Sequence, residues 1–126
     1  MNLFAIELKA GAPIYEQVLY AARKAIISGE LKPGDSFPSV REIAGHLRIN
    51  PNTVQKAIVA LKAEGLVESV PGVGNRVREH PEARATDRAS LLDDDLEALV
   101  LRARQLRLTR SELEAALREH WRTLGS

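Results

Sequence analysis

Apolar residues recur every three or four positions in several stretches of the chain, which is the period of a helix that buries one face. The first set consists of Ile14, Val18, Ala22, Ala25 and Ile26. Pro13 suits the first turn of a helix, and Gly29 suits a left-handed end. The pattern predicts a helix from Ile14 to about Ser28, preceded by a short extended arm that carries Leu3, Phe4, Ile6 and Leu8.

Two further helices follow at close spacing. Ser39-Val40-Arg41-Glu42 has the pattern of a capping box and predicts a short helix from Val40 to about Leu47. Asn50-Pro51 combines a strong capping residue with proline at the first helical position, which predicts a second helix to about Glu64. Because only residues 48–50 separate the two helices, the pair is typical of a helix-turn-helix.

The segment after Gly65 has a different pattern. Residues 66–70 and 75–77 are short, alternating and rich in valine, and Pro71-Gly72-Val73-Gly74 between them is a strong turn signal. We interpret this segment as a β-hairpin that follows the helix-turn-helix. Residues 1–78 therefore form a predicted winged helix-turn-helix domain with a short N-terminal arm.

The C-terminal part of the chain predicts two more helices after a polar linker at residues 79–88. One helix carries a narrow apolar seam of Leu92, Leu96, Leu99, Ala103 and Leu106, with Asp93, Asp94 and Asp95 near its expected start, where the helix dipole favours acids. A second capping box, Thr109-Arg110-Ser111-Glu112, opens the last helix. Its apolar side comprises Leu113, Leu117, Trp121 and Leu124.

Two helices of this length cannot bury both apolar sides alone, so residues 89–126 are predicted to form a dimerisation tail. The predicted fold class is mainly α with a small β wing: a winged helix-turn-helix followed by a two-helix tail. At 126 residues the chain has room for one ordinary domain and a small appendage.

Composition narrows the classes of function. The chain has no cysteine, which excludes disulfides, thiolate metal sites and cysteine nucleophiles. No stretch approaches the roughly 18 apolar residues of a membrane span, so we expect a cytoplasmic protein. Residues 13–78 carry nine Lys or Arg against six Asp or Glu, whereas residues 79–126 carry eight Arg against ten acids. A polyanion is therefore expected to bind residues 13–78.

The second helix of a helix-turn-helix places its first residues in the DNA major groove. Here the polar residues at that position are Asn50, Asn52, Thr53, Gln55 and Lys56. Asparagine and glutamine can bind adenine through two hydrogen bonds, and lysine can reach guanine or phosphate. The alternative is that these residues are only the solvated face of an amphipathic helix. The preceding short helix and the following wing favour DNA binding over this alternative. Ser39, Arg41, Gly72 and Arg76 complete the predicted DNA-binding surface.

Other chemistry has little support in the sequence. His46, His80 and His120 are scattered over different elements, so no metal site is predicted. Ser39 has no obvious base and fits a helix cap better than a nucleophile. Trp121 fits a core or an interface better than a ligand platform. No catalytic residue and no cofactor is expected.

Five segments, in order, resemble the DNA-binding domain of the GntR family: residues 13–17, 28–35, 37–44, 52–57 and 64–67. The short tail is similar to that of the YtrA-like subfamily. The resemblance implies a homodimeric transcription repressor that binds a pseudo-palindromic operator, with a transport operon as a frequent target. It places DNA contacts at Arg41, Asn52, Thr53 and Gly72, and it leaves a small-molecule effector unassigned.

The chain departs from the family's pattern at three positions. Many members carry arginine at the positions of Pro51 and Gln55, so the operator of a relative cannot be transferred to this chain. Many carry glycine at the position of Arg48, so either Arg48 adopts a left-handed conformation at a cost of about 1 kcal/mol or the turn differs. A protein-interaction module on a winged-helix scaffold, without sequence-specific DNA binding, stays the alternative function.

Overall fold

The computed structural model describes residues 6–79 and 85–125, which fall into two compact units, residues 1–81 and 82–126. The first unit contains three helices and two strands: α1 Ile14–Ile27, α2 Val40–Leu47, α3 Pro51–Ala63, β1 Val67–Val70 and β2 Gly74–Val77. These bounds confirm the predicted winged helix-turn-helix to within about one residue. Leu3 and Phe4 of the predicted arm lie outside the described residues.

The core of the first unit forms where α1 and α2 pack against α3. Its largest fully buried side chains are Val18, Ile43, Val54, Ile58, Leu61 and Val77. At the rim, Nε and Nη2 of Arg23 donate to the two carboxylate oxygens of Glu64 at 2.8 and 3.0 Å. Since Glu64 caps the end of α3, this pair ties α1 to α3, and the hydrogen bond raises the pKa of Arg23.

The β-hairpin is antiparallel, and Glu68 lies opposite Arg76 in its register. Residues 34–37 lie along the other edge of β2. The amide of Phe37 donates to the carbonyl of Asn75 at 2.8 Å, and the amide of Val77 donates to the carbonyl of Asp35 at 2.8 Å. The wing is therefore joined by backbone hydrogen bonds to the segment that leads directly into α2.

The turn between α2 and α3 contains a strained residue. Arg48 caps α2 in the left-handed conformation, with φ 55° and ψ 51°. Its amide donates to the carbonyl of Ala44, which closes the last turn of α2. Of the two arrangements expected for this position, the structure has the left-handed one.

The second unit differs from the sequence prediction at its start. Helix α4, Ala85–Ser90, occupies the end of the predicted linker and leads into a π-helical turn, Leu91–Asp95, and then α5, Leu96–Gln105. The acids Asp93 to Asp95 thus lie well inside a helical segment, so the dipole explanation for them is wrong. Residues 85–88 are polar, which is why the sequence predicts a linker there. A helix that is exposed on all sides needs no apolar stripe, so its sequence can look like that of a linker.

The last helix, α6, spans Arg110–Thr123 and begins with the predicted capping box at Thr109. Within the described part of the second unit, Ala103 is the one buried residue, and most of the predicted interface is exposed. The exposed fractions are 67% for Leu92, 43% for Leu96, 50% for Leu99, 61% for Leu106, 59% for Leu117 and 70% for Trp121. Leu113 is half-buried. No helix among the described residues is long and apolar enough to cross a bilayer.

Candidate nucleic-acid interface

Helix α3 has two chemically distinct sides. Val54, Ala57, Ile58 and Leu61 are buried in the core. The side chains of Asn52, Gln55 and Lys56 are exposed on the other side, and Thr53 is half-buried at its margin. The predicted base-reading residues therefore share one accessible face near the N-terminal end of α3.

Two of the predicted residues are helix caps. Oδ1 of Asn50 accepts a hydrogen bond from the amide of Asn52 at 2.9 Å. Oγ of Ser39 accepts from the amide of Glu42 at 3.1 Å, and the amide of Ser39 donates to the Glu42 carboxylate at 3.3 Å. These side chains satisfy amides at the starts of α3 and α2, where the partial positive charge of a helix favours a nearby anion.

Lys56 has a partner that the sequence analysis did not identify. Its ammonium nitrogen lies 4.0 Å from the centre of the Tyr15 ring, in a cation–π contact between α3 and α1. The hydroxyl of Tyr15 is 3.4 Å from the carboxylate of Glu16 and donates to it. Because Lys56 and Tyr15 are 41 positions apart in the chain, no local sequence pattern could have indicated the cation–π contact.

Two exposed basic side chains lie on the elements that precede α3 in the chain. Arg41 is exposed in the first turn of α2, and Arg48 is exposed in the turn between α2 and α3. Among the residues that the structure describes, no hydrogen bond or ion pair engages the side chain of either arginine. Both cations are thus available to an anionic partner.

The tip of the wing is a tight turn in which the amide of Val73 donates to the carbonyl of Val70 at 3.0 Å. Pro71 and Gly72 are its central residues, and Gly72 has φ 77°, as a type II turn requires. A Cβ atom on Gly72 would meet nothing within 4 Å, so only the backbone angle calls for glycine in this structure.

Arg76, the predicted cation of the wing, is paired with an acid on the neighbouring strand. Its Nε donates to the Glu68 carboxylate at 2.7 Å, and this hydrogen bond raises the pKa of Arg76. The predicted DNA-binding residues thus fall into three groups: the starts of α2 and α3, the exposed face of α3, and the wing. Glu68 and Tyr15, which hold two of the cations, are additions from the structure.

The described residues contain no cluster of three or more His, Asp or Glu able to hold a metal ion. His46 lies at the end of α2 and His120 in α6. His80 lies outside the described residues.

Known proteins resemble the chain over most of its length. The HTH-type transcriptional repressor YtrA of Bacillus subtilis (strain 168) is 33% identical over 102 residues, which cover 80% of this chain and 78% of that protein. The crystal structure of a transcriptional antiterminator from Listeria monocytogenes EGD-e matches with a TM-score of 0.81 and 25% identity, over 97% of this chain and 92% of that one.

A DNA complex is also among the similar structures. The crystal structure of AraR(DBD) in complex with operator ORX1 matches with a TM-score of 0.51 and 28% identity, over 57% of this chain and 92% of that chain. Residues 14–77, from the start of α1 to the end of β2, match the family described as bacterial regulatory proteins, gntR family. The chain therefore belongs to the gntR family and is a DNA-binding transcription regulator.

Proposed function

We propose that the chain is a homodimeric repressor that binds a pseudo-palindromic operator. Helix α3 of each protomer enters one major groove, with Asn52, Gln55 and Lys56 facing base edges. The observation that carries this proposal is the accessible polar face of α3. Arg41 and Arg48, on the elements before α3, add two exposed cations that have no hydrogen-bond or ion-pair partner among the described residues. The repressor YtrA and the operator-bound AraR(DBD) are relatives that support it.

The starts of α2 and α3 are the proposed phosphate contacts. The first turns of α2 and α3, which follow the caps Ser39 and Asn50, are positive helix ends, and such ends bind phosphate in many DNA-binding domains. Arg41 adds a full positive charge one residue into α2. In this arrangement Gly72 and Arg76 bring the wing to the neighbouring minor groove.

Dimerisation is proposed through the helical tail, residues 89–126, which lies within the second unit. Its exposed leucines and Trp121 are too numerous for a stable monomeric surface, since large exposed apolar patches mark association sites. Two copies of this pair of helices can bury these faces against each other as a four-helix bundle. A twofold axis would then present the two α3 helices to half-sites about one helical turn of DNA apart.

The regulated genes are proposed to encode a transport system, and the chain is proposed to act in the cytoplasm, where the chromosome is accessible. Both proposals rest on the family resemblance. Footprinting over the gene's own neighbourhood identifies the operator, and transcript levels with and without the chain identify the regulated genes. A rise in transcript when the chain is removed supports repression, and a fall contradicts it.

The DNA-binding proposal is tested with the full chain and a randomised pool of duplexes. We expect selection of one palindromic sequence, and binding that weakens steeply as salt rises because bound phosphates release counterions. Arg41→Ala and Lys56→Ala should each weaken binding to the selected duplex. Unchanged affinity in both variants would refute the assigned surface, and failure to select any sequence would favour the protein-interaction module.

Dimerisation is tested separately by deleting residues 90–126 and measuring mass by light scattering. The full chain is expected to be a dimer, and the truncated chain a monomer with a helical first unit. A truncated chain that stays dimeric would remove the proposed role of the tail. Leu96→Glu and Leu117→Glu place charges on the exposed apolar faces and should give the same dissociation without truncation.

A further inference from the structure

Val59 is an apolar residue on the accessible side of α3. It is 54% exposed, whereas Val54, Ala57, Ile58 and Leu61 of the same helix are each no more than 1% exposed. It therefore has no part in the core that α3 forms with α1 and α2.

The geometry of an α-helix places Val59 on the same face as the predicted base-reading residues. At about 100° per residue, Val59 points within about 20° of Asn52 and lies between the directions of Gln55 and Lys56. The spacing of these four residues is i, i+3, i+4 and i+7, which keeps them on one face. Val59 thus lies near the middle of that face, one turn beyond Gln55 and Lys56.

Folding alone gives no reason for valine at this position. A β-branched side chain loses rotamer freedom in a helix and is a poorer helix former than lysine, glutamine or glutamate. A half-exposed side chain also gains little from burial. A polar helix former would serve the isolated domain better at this position.

The major groove offers one apolar group, the 5-methyl group of thymine, which apolar side chains contact in known complexes. We infer that Val59 contacts a thymine methyl group and so sets the base preference at one position of the bound duplex. This inference rests on the proposed function, in which α3 lies in the major groove. Because Val59 lies about 10 Å from Asn52 along the helix, the two residues read different base pairs.

The test removes the methyl group from the DNA and the valine methyl groups from the protein, separately and together. The full chain first selects its preferred duplex from a randomised pool. Each thymine of that duplex is then replaced in turn by deoxyuridine, which deletes only the methyl group. We expect a loss of about fourfold in affinity at one position per half-site, the value of one buried methyl group.

Val59→Ala is expected to weaken binding to the selected duplex by a similar factor and to abolish the effect of deoxyuridine at that one position. Val59→Thr retains one methyl group and the side-chain shape, so it should keep part of the discrimination. The matched control is Ile27→Ala, which truncates another exposed apolar side chain, 59% exposed, outside the predicted DNA-binding surface. It should leave the affinity and the deoxyuridine profile unchanged.

The possible failures are distinguishable. If Val59→Ala shows the same deoxyuridine profile as the unmodified chain, the inference is wrong while the proposed function stands. If the chain selects no sequence, the proposed function fails and the inference falls with it. If Ile27→Ala changes the profile as Val59→Ala does, the effect is not local to Val59, and the inference is also refuted.

Discussion

The ammonium nitrogen of Lys56 lies 4.0 Å from the centre of the Tyr15 ring. Tyr15 is the second residue of α1, and Lys56 is on the exposed face of α3, so the contact joins the first helix to the predicted base-reading helix. The ring restricts the long lysine side chain while its three N–H groups stay able to donate. Lys56 is thus held in place before any DNA binds.

Tyr15→Leu is expected to weaken binding to the selected duplex about two- to fivefold, because an exposed cation–π contact contributes about 0.5–1 kcal/mol to holding Lys56. Tyr15→Phe keeps the ring and should bind like the unmodified chain. Affinities are measured by fluorescence anisotropy. In a double-mutant cycle with Lys56→Met, the effect of Tyr15→Leu should vanish. A full effect without the lysine would show that Tyr15 acts on folding instead.

Glu68→Gln is expected to strengthen DNA binding and to steepen its salt dependence. The carboxylate of Glu68 accepts from Nε of Arg76 at 2.7 Å and also adds negative charge to the wing. Removing that charge leaves Arg76 free to pair with phosphate, and each added phosphate contact steepens the slope of log affinity against log salt by about 0.9. Anisotropy titrations at several salt concentrations measure both quantities.

The control for this variant is Glu64→Gln. Glu64 is also paired with an arginine, Arg23 of α1. The substitution changes net charge by the same amount. Because neither Glu64 nor Arg23 belongs to the predicted DNA-binding surface, it should leave the salt slope unchanged. Equal steepening in both variants would mean that overall charge, and not the release of Arg76, is responsible.

Arg48→Gly is expected to raise the free energy of unfolding by about 0.5–1 kcal/mol relative to Arg48→Ala. Both variants lose the charge, and only glycine relieves the left-handed conformation at φ 55°. Denaturant unfolding followed by circular dichroism measures the difference. In the second unit, Arg107 has the same left-handed conformation, with φ 60°. The free energy of unfolding of Arg107→Gly should exceed that of Arg107→Ala by a similar amount. Alanine and glycine variants of equal stability would contradict the strain argument.

Ser39 offers a way to separate capping from DNA contact. Ser39→Ala should lower the free energy of unfolding by about 1 kcal/mol because the amide of Glu42 loses its partner. Ser39→Asp preserves the cap and should preserve stability, yet its negative charge should weaken DNA binding if α2 begins beside a phosphate. Thr109→Asp makes the equivalent change at the start of α6 and should leave affinity unaltered. Strong binding by Ser39→Asp would remove Ser39 from the predicted interface.

The parts of the fold that the sequence predicted well are those governed by local residues. The capping boxes at Ser39 and Thr109 and the Asn50-Pro51 cap mark helix starts through bonds within three residues, so they can be read directly. The turn at Pro71-Gly72 is local in the same sense. The family resemblance indicated that Arg48 is either left-handed or part of a different turn, and the structure has the left-handed residue.

The features that could not be predicted from the sequence depend on contacts between distant residues or on the exposure of side chains. Tyr15 and Lys56 meet only because α1 packs against α3, and Glu68 reaches Arg76 through strand register. Helix α4 has no buried residue, so its start carried no apolar signal. Val59 could have been noticed on a helical wheel, but an exposed valine is common enough to pass without remark.

The backbone bonds between residues 34–37 and β2 have a mechanical consequence for recognition. Since this segment runs directly into Ser39, its backbone bonds to β2 couple the position of the wing to that of the start of α2. In the proposed complex, a duplex would therefore have to place its phosphates against the wing and the start of α2 at one fixed spacing. DNA with a displaced or widened minor groove at the flank would then lose the proposed wing contact, so groove shape beyond the bases that face α3 would contribute to recognition.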